Sequence, residues 1–163
     1  MDLVLTFYMQ INQEKKELDG SKYKIGIVKS SYNKEIMDGL LTGCLKGLGE
    51  CGIKEKNIYV LEVPGSFELA IGAQKLAERG KYNGIICLGA IVKGETRHDE
   101  YIANACGNGL VSVALKYNLP VMLGVITALN LEQAIARSRD DGDNRGYLAT
   151  LAVVELLNNL RKI

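Results

Sequence analysis

The chain carries almost no net charge, since 20 basic and 19 acidic residues leave a formal charge of +1. So balanced a chain has no bulk field that would attract nucleic acid or an anionic lipid surface. We therefore expect neither a nucleic acid nor a membrane as a partner. Any anionic ligand must be held by local groups.

Closely spaced cysteine pairs are missing, because no C-x-x-C occurs among Cys44, Cys51, Cys87 and Cys106. Scattered cysteines in apolar stretches are typical of core residues in a reducing compartment. The apolar stretch Met1–Met9 is too short to span a bilayer. It also lacks the basic region and small-residue cleavage site of a signal peptide. The sequence therefore predicts a cytoplasmic protein.

Several catalytic motifs are absent as well. The first predicted strand is not followed by G-x-G-x-x-G, and neither G-x-x-x-x-G-K-[ST] nor G-x-S-x-G occurs. These absences disfavour a dinucleotide-binding domain, a P-loop protein and an α/β-hydrolase. His98 is the only histidine, so a usual zinc site that needs a second histidine is not expected.

The length of 163 residues suits one domain with a sizeable core. We divide the chain into an arm and linker, residues 1–21, and a main domain, residues 22–163. The apolar arm Asp2–Tyr8 would not be stable alone, because an isolated strand needs a sheet edge in its own subunit or in another. The segment Gln13–Ser21 is polar and charged, which is typical of a linker.

Apolar runs alternate with helical periodicity through the main domain. The pattern predicts four strands, each followed by a helix, at Lys24–Val28, Asn57–Val63, Gly84–Ala90 and Pro120–Ile126. Asn33 and Asp99 are expected to cap the first and third helices, and Asn130 with Gln133 resembles a capping box. A last helix is predicted from Asn144 to Arg161. The alternation predicts an α/β fold, a three-layer sandwich whose four-stranded parallel sheet is flanked by helices.

The most informative stretch is Ile85–His98, in which a buried strand ends in a glycine-punctuated turn with titratable side chains. Open α/β sheets bind ligands at the carboxyl ends of their strands. Because the predicted strands are parallel, every strand-to-helix turn falls on that same edge. The turns that meet there contain Ser31–Asn33, Pro64–Glu68, Lys93–His98 and Thr127. The alternative is a solvated connection whose charges only keep it soluble.

Two aromatic side chains and one carboxylate lie in these turns. Tyr32 and Phe67 would stack on a flat heteroaromatic ligand, or each would simply cap the end of the sheet. Glu68 either complements a helix dipole or accepts hydrogen bonds from a polyol.

The turn before the third helix can bind an anion. Gly94–Thr96 offers backbone N–H groups and a hydroxyl at a helix start. Spacing does not decide which arginine would be the phosphate partner among Arg97, Arg137, Arg139 and Arg145. His98 carries an imidazole, which can pass protons in both directions, although a lone histidine is often structural.

Six segments, taken together and in order, resemble the 6,7-dimethyl-8-ribityllumazine synthase family, which acts in the penultimate step of riboflavin biosynthesis. The resemblance covers about Lys24 to Leu160. The segments are Ser31–Asn33, Val63–Glu68, Leu88–His98, Gly124–Thr127, Glu132–Ala134 with Arg137, and Asn144–Gly146.

The resemblance implies a flavodoxin-like fold and a condensation reaction. The amine of 5-amino-6-(D-ribitylamino)uracil attacks the ketone of 3,4-dihydroxy-2-butanone 4-phosphate, water leaves to give an imine, phosphate is eliminated, and the ring closes to the lumazine. No metal or redox cofactor is implied. Much of the catalysis is then the holding of two reactants in attack geometry.

The resemblance also implies a role for each site residue. Tyr32 takes the place of a phenylalanine that stacks on the pyrimidine. The contacts to the ribityl chain and the ring edge fall on Ser66, Phe67 and Glu68, and the backbone contacts to the pyrimidine fall on Ala90, Ile91 and Val92. The remaining roles are the phosphate turn at Glu95 and Thr96, the phosphate clamp at Arg137, and the proton donor at His98. Arg145 replaces a common lysine and keeps its charge.

In the family, the positions of Leu123, Arg137 and Arg145 face the active site of the neighbouring subunit. A ring of subunits is therefore implied, usually a homopentamer and sometimes an icosahedral 60-mer, with riboflavin synthase as a further partner. The sequence departs from the family in several places. Leu123 replaces a usual phenylalanine and thins one aromatic wall, Glu95 replaces a small residue so that only its backbone is expected to bind phosphate, and Asp99 stands where an aromatic residue is common.

Three other hypotheses stay open at this point. A lumazine- or flavin-binding protein on the same fold would keep Tyr32 and Phe67 but would not need a phosphate clamp. A purely structural shell subunit would keep the interfaces but would not need an intact site. An unrelated phosphate-binding flavodoxin-like domain would be a monomer in solution.

Overall fold

The computed structural model describes residues 18–163. The predicted arm Asp2–Tyr8 and most of the predicted linker lie outside the described residues. Two residues of the linker segment contact the main domain: Leu18 packs against the hydrophobic core, and the amide of Gly20 donates to the carbonyl of Cys51 at 2.7 Å.

A four-stranded parallel sheet forms the centre of the protein. Its strands are β1 (Ile25–Ser30), β2 (Ile58–Val63), β3 (Gly84–Val92) and β4 (Val121–Ala128), in the spatial order β2-β1-β3-β4. The central strands β1 and β3 are buried along nearly their whole length, as expected for continuous apolar runs covered on both faces. The predicted α/β, three-layer, flavodoxin-like architecture is confirmed, and strands β1, β3 and β4 extend two residues beyond the predicted ends.

Five α-helices within residues 18–163 cover the two faces of the sheet. They are α1 (Lys34–Glu50), α2 (Leu69–Glu78), α3 (His98–Tyr117), α4 (Leu131–Ala136) and α5 (Arg145–Leu160). One hydrophobic cluster joins α1, α4 and α5 to the first face of the sheet, and a second joins α2 and α3 to the other. The two clusters follow from the alternation of side chains along β3: Ile86 and Leu88 face the first layer, whereas Ile85 and Cys87 face the second.

Glycines allow α1 and α5 to pack closely. A Cβ on Gly43 would lie 2.3 Å from the side-chain oxygen of Asn144, and a Cβ on Gly146 would lie 2.1 Å from the carbonyl oxygen of Leu40. Thr150 is fully buried at the same contact and donates to the carbonyl of Cys44 at 3.2 Å. A larger residue at Gly43 would displace the Asn144 amide, and one at Gly146 would displace the backbone of α1 at Leu40.

The helix caps differ in part from the sequence-based expectation. Asn33 occupies the cap position of α1 in a left-handed conformation, with φ 61°, and its side chain makes no capping bond. Asp99 lies inside the first turn of α3 instead of capping it, because the helix already begins at His98. Asn130 does cap α4 by accepting from the amide of Gln133 at 2.9 Å, as predicted.

All four cysteines are buried free thiols, which confirms the prediction that they are core residues. Burial raises the pKa of Cys44 to about 12 and that of Cys106 to about 11. These thiols therefore stay protonated and unreactive at neutral pH. Within residues 18–163, no helix combines the length and the apolar character needed to cross a bilayer.

Candidate active site

The turns after β1, β2 and β3 meet at the carboxyl edge of the sheet, and hydrogen bonds beyond the strand ends hold them there. The Ser31 amide donates to the Val63 carbonyl at 2.8 Å, and the Ser31 hydroxyl donates to the Pro64 carbonyl at 3.2 Å. At the other side, the Lys93 amide donates to the Ala128 carbonyl at 2.8 Å. The edge is therefore a connected surface and not a set of independent loops.

Ser66 anchors the turn after β2. It begins a 3-10 turn, Ser66–Glu68, and is buried, with its hydroxyl donating to the Ala90 carbonyl at 3.4 Å. A Cβ on Gly89 would lie 2.6 Å from the Ser66 hydroxyl oxygen, so only glycine in β3 permits this approach. The Glu68 carboxylate folds back toward Gly65, where an added Cβ would lie 3.1 Å from Oε2.

Two aromatic rings project from this edge into solvent. Phe67 follows Ser66 and is 57% exposed, and Tyr32 is 68% exposed. The amide of Tyr32 donates to the Ser30 hydroxyl at 3.2 Å, which fixes the backbone beneath the ring. A large apolar ring left this exposed contributes little to the core, so both rings are available for a flat ligand.

The end of β3 can offer backbone groups only. Ala90 and Ile91 are buried and Val92 is half-buried, and the side chains of Ala90 and Val92 belong to the cluster that packs against α1, α4 and α5. A ligand at this edge would therefore meet main-chain amides and carbonyls of the strand.

The turn from β3 to α3 is exposed and carries the candidate proton-transfer and anion-binding groups. His98 is the first residue of α3, and its amide donates to the Thr96 hydroxyl at 3.4 Å. The α3 helix has 20 residues, and its N-terminal end favours an anion. Arg97 is engaged elsewhere, because its guanidinium contacts the Glu100 carboxylate at 2.6 and 3.0 Å. Glu95 is exposed.

Asp99 is a feature of this turn that sequence reasoning missed. Its Oδ1 atom is buried and has no hydrogen-bond partner among residues 18–163. The sequence predicted Asp99 as a helix cap and placed an acidic residue where an aromatic one is common in the family, but it gave no sign of that buried oxygen.

Arg137 and Arg145 lie next to each other but on the other side of the sheet from His98. The Arg145 amide donates to the Arg137 carbonyl at 3.0 Å. Arg137 follows α4, whose Ala134 packs in the cluster with α1 and α5, whereas α3 packs in the cluster on the opposite face. Within one subunit, the two arginines and His98 therefore belong to elements that pack on opposite faces of the sheet.

Leu123 lies on the edge strand β4 and is 57% exposed. Most of the predicted site residues lie together at one edge of the sheet: Tyr32, Ser66, Phe67, Glu68, the end of β3, Thr96 and His98. Arg137 and Arg145 do not join that group within one subunit.

Comparison with known families matches residues 22–161 to 6,7-dimethyl-8-ribityllumazine synthase. The chain belongs to the lumazine synthase family. Members of this family are transferase-type enzymes of riboflavin biosynthesis that act on small molecules and typically assemble into oligomers. The match spans every residue at the carboxyl edge described above. Exposed aromatic rings and a helix start that favours an anion are both present at this edge.

Proposed function

We propose that this chain condenses 5-amino-6-(D-ribitylamino)uracil with 3,4-dihydroxy-2-butanone 4-phosphate to give 6,7-dimethyl-8-ribityllumazine, phosphate and water. The observation that carries the proposal is the placement of His98 and Thr96, joined by a 3.4 Å hydrogen bond, at the same edge as the exposed rings of Tyr32 and Phe67. The family match over residues 22–161 supports the same reaction.

The pyrimidine would be held by ring contacts and backbone groups. Tyr32 and Phe67 supply exposed aromatic faces, and the carboxyl end of β3 supplies main-chain donors and acceptors at Ala90–Val92. Ser66 and Glu68 lie on the turn between these features and would accept or donate hydrogen bonds to ribityl hydroxyls.

The phosphate would sit at the start of α3. The Gly94–Thr96 backbone and the Thr96 hydroxyl face a helix terminus that favours negative charge. The resemblance to the family assigns the guanidinium contact to Arg137, with Arg145 as a supporting charge. Arg97 is paired with Glu100 in this structure. Glu95 would contribute through its backbone, since its carboxylate would repel the phosphate.

His98 would move the protons of the reaction. The amine attacks the ketone, and protonation of the resulting carbinolamine hydroxyl lets water leave to form the imine. Loss of a proton next to the imine expels phosphate, and attack by the second amine closes the ring with loss of another water. The exposed imidazole of His98 can both donate and accept these protons beside the bound phosphate.

The separation of His98 from Arg137 supports a site shared between subunits. The sheet lies between α3 and α4, so Arg137 would serve the site of a neighbouring copy. The outer face of α3 also fits an assembly: Tyr101, Val111 and Leu115 are exposed, Leu115 by 78%, and a helical turn of 100° per residue places all three in one stripe. We propose a homopentameric, cytoplasmic enzyme whose catalytic domain is residues 22–163.

A direct assay tests the proposal. Mixing the two substrates with the protein should produce the absorbance of the lumazine, whereas a lumazine- or flavin-binding protein would bind product without forming it. His98→Ala should lower turnover by about a hundredfold or more while product still binds, because general acid–base catalysis typically contributes at least that much. Unchanged turnover in this variant would reject the assignment of His98, and absence of product with the unmodified protein would reject the activity. Solution mass reports the number of subunits.

A further inference from the structure

Asn144 uses its whole side chain to join three segments of the chain. It is 2% exposed and precedes α5. Its side-chain oxygen accepts from the amides of Gly146 and Tyr147 at 2.9 and 3.1 Å, which caps the helix. Its side-chain nitrogen donates to the carbonyls of Ser138 and Gly39 at 2.8 and 2.9 Å, which ties the loop before α5 to α1.

Two glycines of α1 leave the space that this amide and its loop occupy. A Cβ on Gly43 would lie 2.3 Å from the Asn144 oxygen, and a Cβ on Gly39 would lie 2.4 Å from the Ser138 carbonyl oxygen. The side-chain amide of Asn144 therefore lies against the backbone of α1. The loop between α4 and α5 is packed so closely on α1 that it has no room to move toward that helix.

The same amide sits between the two arginines of the proposed phosphate clamp. Ser138, which accepts one of its hydrogen bonds, follows Arg137, and Arg145 follows Asn144 itself. The Arg145 amide closes the loop by donating to the Arg137 carbonyl at 3.0 Å. Between the two arginines, residues 139–143 are exposed. The hydrogen-bonded pair of Asn144 and Ser138 is therefore the buried part of this loop.

We propose that Asn144 is the positioning residue of the phosphate clamp, which it holds in place for the active site of the neighbouring subunit. This inference rests on the proposed function. Asn144 itself need not touch the substrate, because its hydrogen bonds hold in place the backbone from which the side chains of Arg137 and Arg145 extend. A guanidinium displaced by about 1 Å can cost up to about a hundredfold in rate.

Asn144→Asp separates the two halves of the interaction. Aspartate caps a helix as well as asparagine does, so the bonds to Gly146 and Tyr147 are kept. The two donors to Ser138 and Gly39 are lost, and a carboxylate would face both carbonyls. We expect the KM for the butanone phosphate to rise about ten- to a hundredfold while the KM for the pyrimidine amine stays within about twofold. The matched control is Asn130→Asp, which makes the same change at the exposed cap of α4 and should alter neither KM.

Gly39→Ala disturbs the same loop from the other side. Alanine is favoured inside a helix, so the main effect is the contact of its Cβ with the Ser138 carbonyl. It should reproduce the selective rise in KM for the phosphate substrate, and it replaces Asn144→Asp if that variant does not fold. If both KM values change equally, if neither changes, or if neither variant folds, Asn144 serves the fold alone and the proposal is overturned.

Mixing of subunits tests whether the clamp acts on a neighbour. Asn144→Asp subunits keep His98, and His98→Ala subunits keep an intact clamp. Some sites in mixed rings should therefore combine His98 from one subunit with an intact clamp from its neighbour. The mixture should then be more active than either variant alone. Arg137→Ala mixed with His98→Ala is the reference. Recovery with the Arg137 variant but not with the Asn144 variant would overturn the role of Asn144. Failure of the reference mixture would instead reject the shared site of the proposed function, and the KM comparison would then decide the role of Asn144.

Discussion

Replacement of Gly89 by alanine tests the close approach of Ser66 to β3, on which the pyrimidine edge of the site depends. The new Cβ would lie 2.6 Å from the Ser66 hydroxyl oxygen and 3.0 Å from Cδ1 of Leu69. Both neighbours are buried, so the 3-10 turn Ser66–Glu68 must shift away from the strand. Overpacking of this kind typically costs about 1–3 kcal/mol, which for a chain of this size lowers Tm by about 2–12 °C.

A second substitution identifies the cause. Ser66→Ala alone removes a long hydrogen bond of 3.4 Å to the Ala90 carbonyl, so it should cost no more than about 1 kcal/mol. In the double variant the shortest contact of the new Cβ is gone. We therefore expect the double variant to be more stable than Gly89→Ala alone, which corresponds to a favourable coupling larger than the cost of Ser66→Ala by itself.

Urea unfolding of the four proteins at one fixed protein concentration measures this cycle, since assembly makes apparent stability depend on concentration. Gly89→Ala should also raise the KM for the pyrimidine amine, because the displaced turn carries Phe67 and Glu68. The reasoning is refuted if the two substitutions destabilise additively, or if Gly89→Ala leaves both stability and KM unchanged.

Three further predictions concern individual side chains. Leu123→Phe adds a ring at an exposed edge and should lower the KM for the pyrimidine about 2- to 12-fold, which matches a stacking contact of about 0.5–1.5 kcal/mol; an unchanged KM would show that this residue does not face the bound ring. Tyr32→Phe should retain the parent's KM for the pyrimidine, and Tyr32→Ala should raise that KM. The Tm should be unchanged in both variants because the side chain is largely exposed. The hydrogen bond to the Glu50 carboxylate raises the pKa of Tyr147 from 10.0 to about 12. The difference in free energy of unfolding between the parent and Tyr147→Phe should therefore be constant below pH 10 and shrink as the pH rises toward 12. Urea unfolding measures this difference, and a difference that does not change across this pH range would contradict the pairing.

Local patterns along the chain were enough to predict the layers of the fold and to group the candidate site residues at one edge of the sheet. Each strand is a short apolar run and each helix has an apolar face, so element type follows from the side-chain period alone. Since parallel strands all end at one edge, the turns containing Tyr32, Phe67 and His98 could be placed together without knowledge of any contact. The helix caps were harder, because Asn33 and Asp99 have suitable side chains but the backbone at those positions follows the packing of α1 and α3.

By itself, the sequence determined the parallel sheet, its flanking helices, and membership in a family of small-molecule enzymes, and it predicted the carboxyl edge as the site. Only the tertiary structure decided that Arg137 and His98 lie on opposite faces of the sheet, that Gly89 admits Ser66, and that Asn144 ties a loop to α1. The reason is physical. Periodicity is a property of neighbours along the chain, whereas the amide of Asn144 meets a carbonyl 105 residues away, at a distance that only the packed helices set.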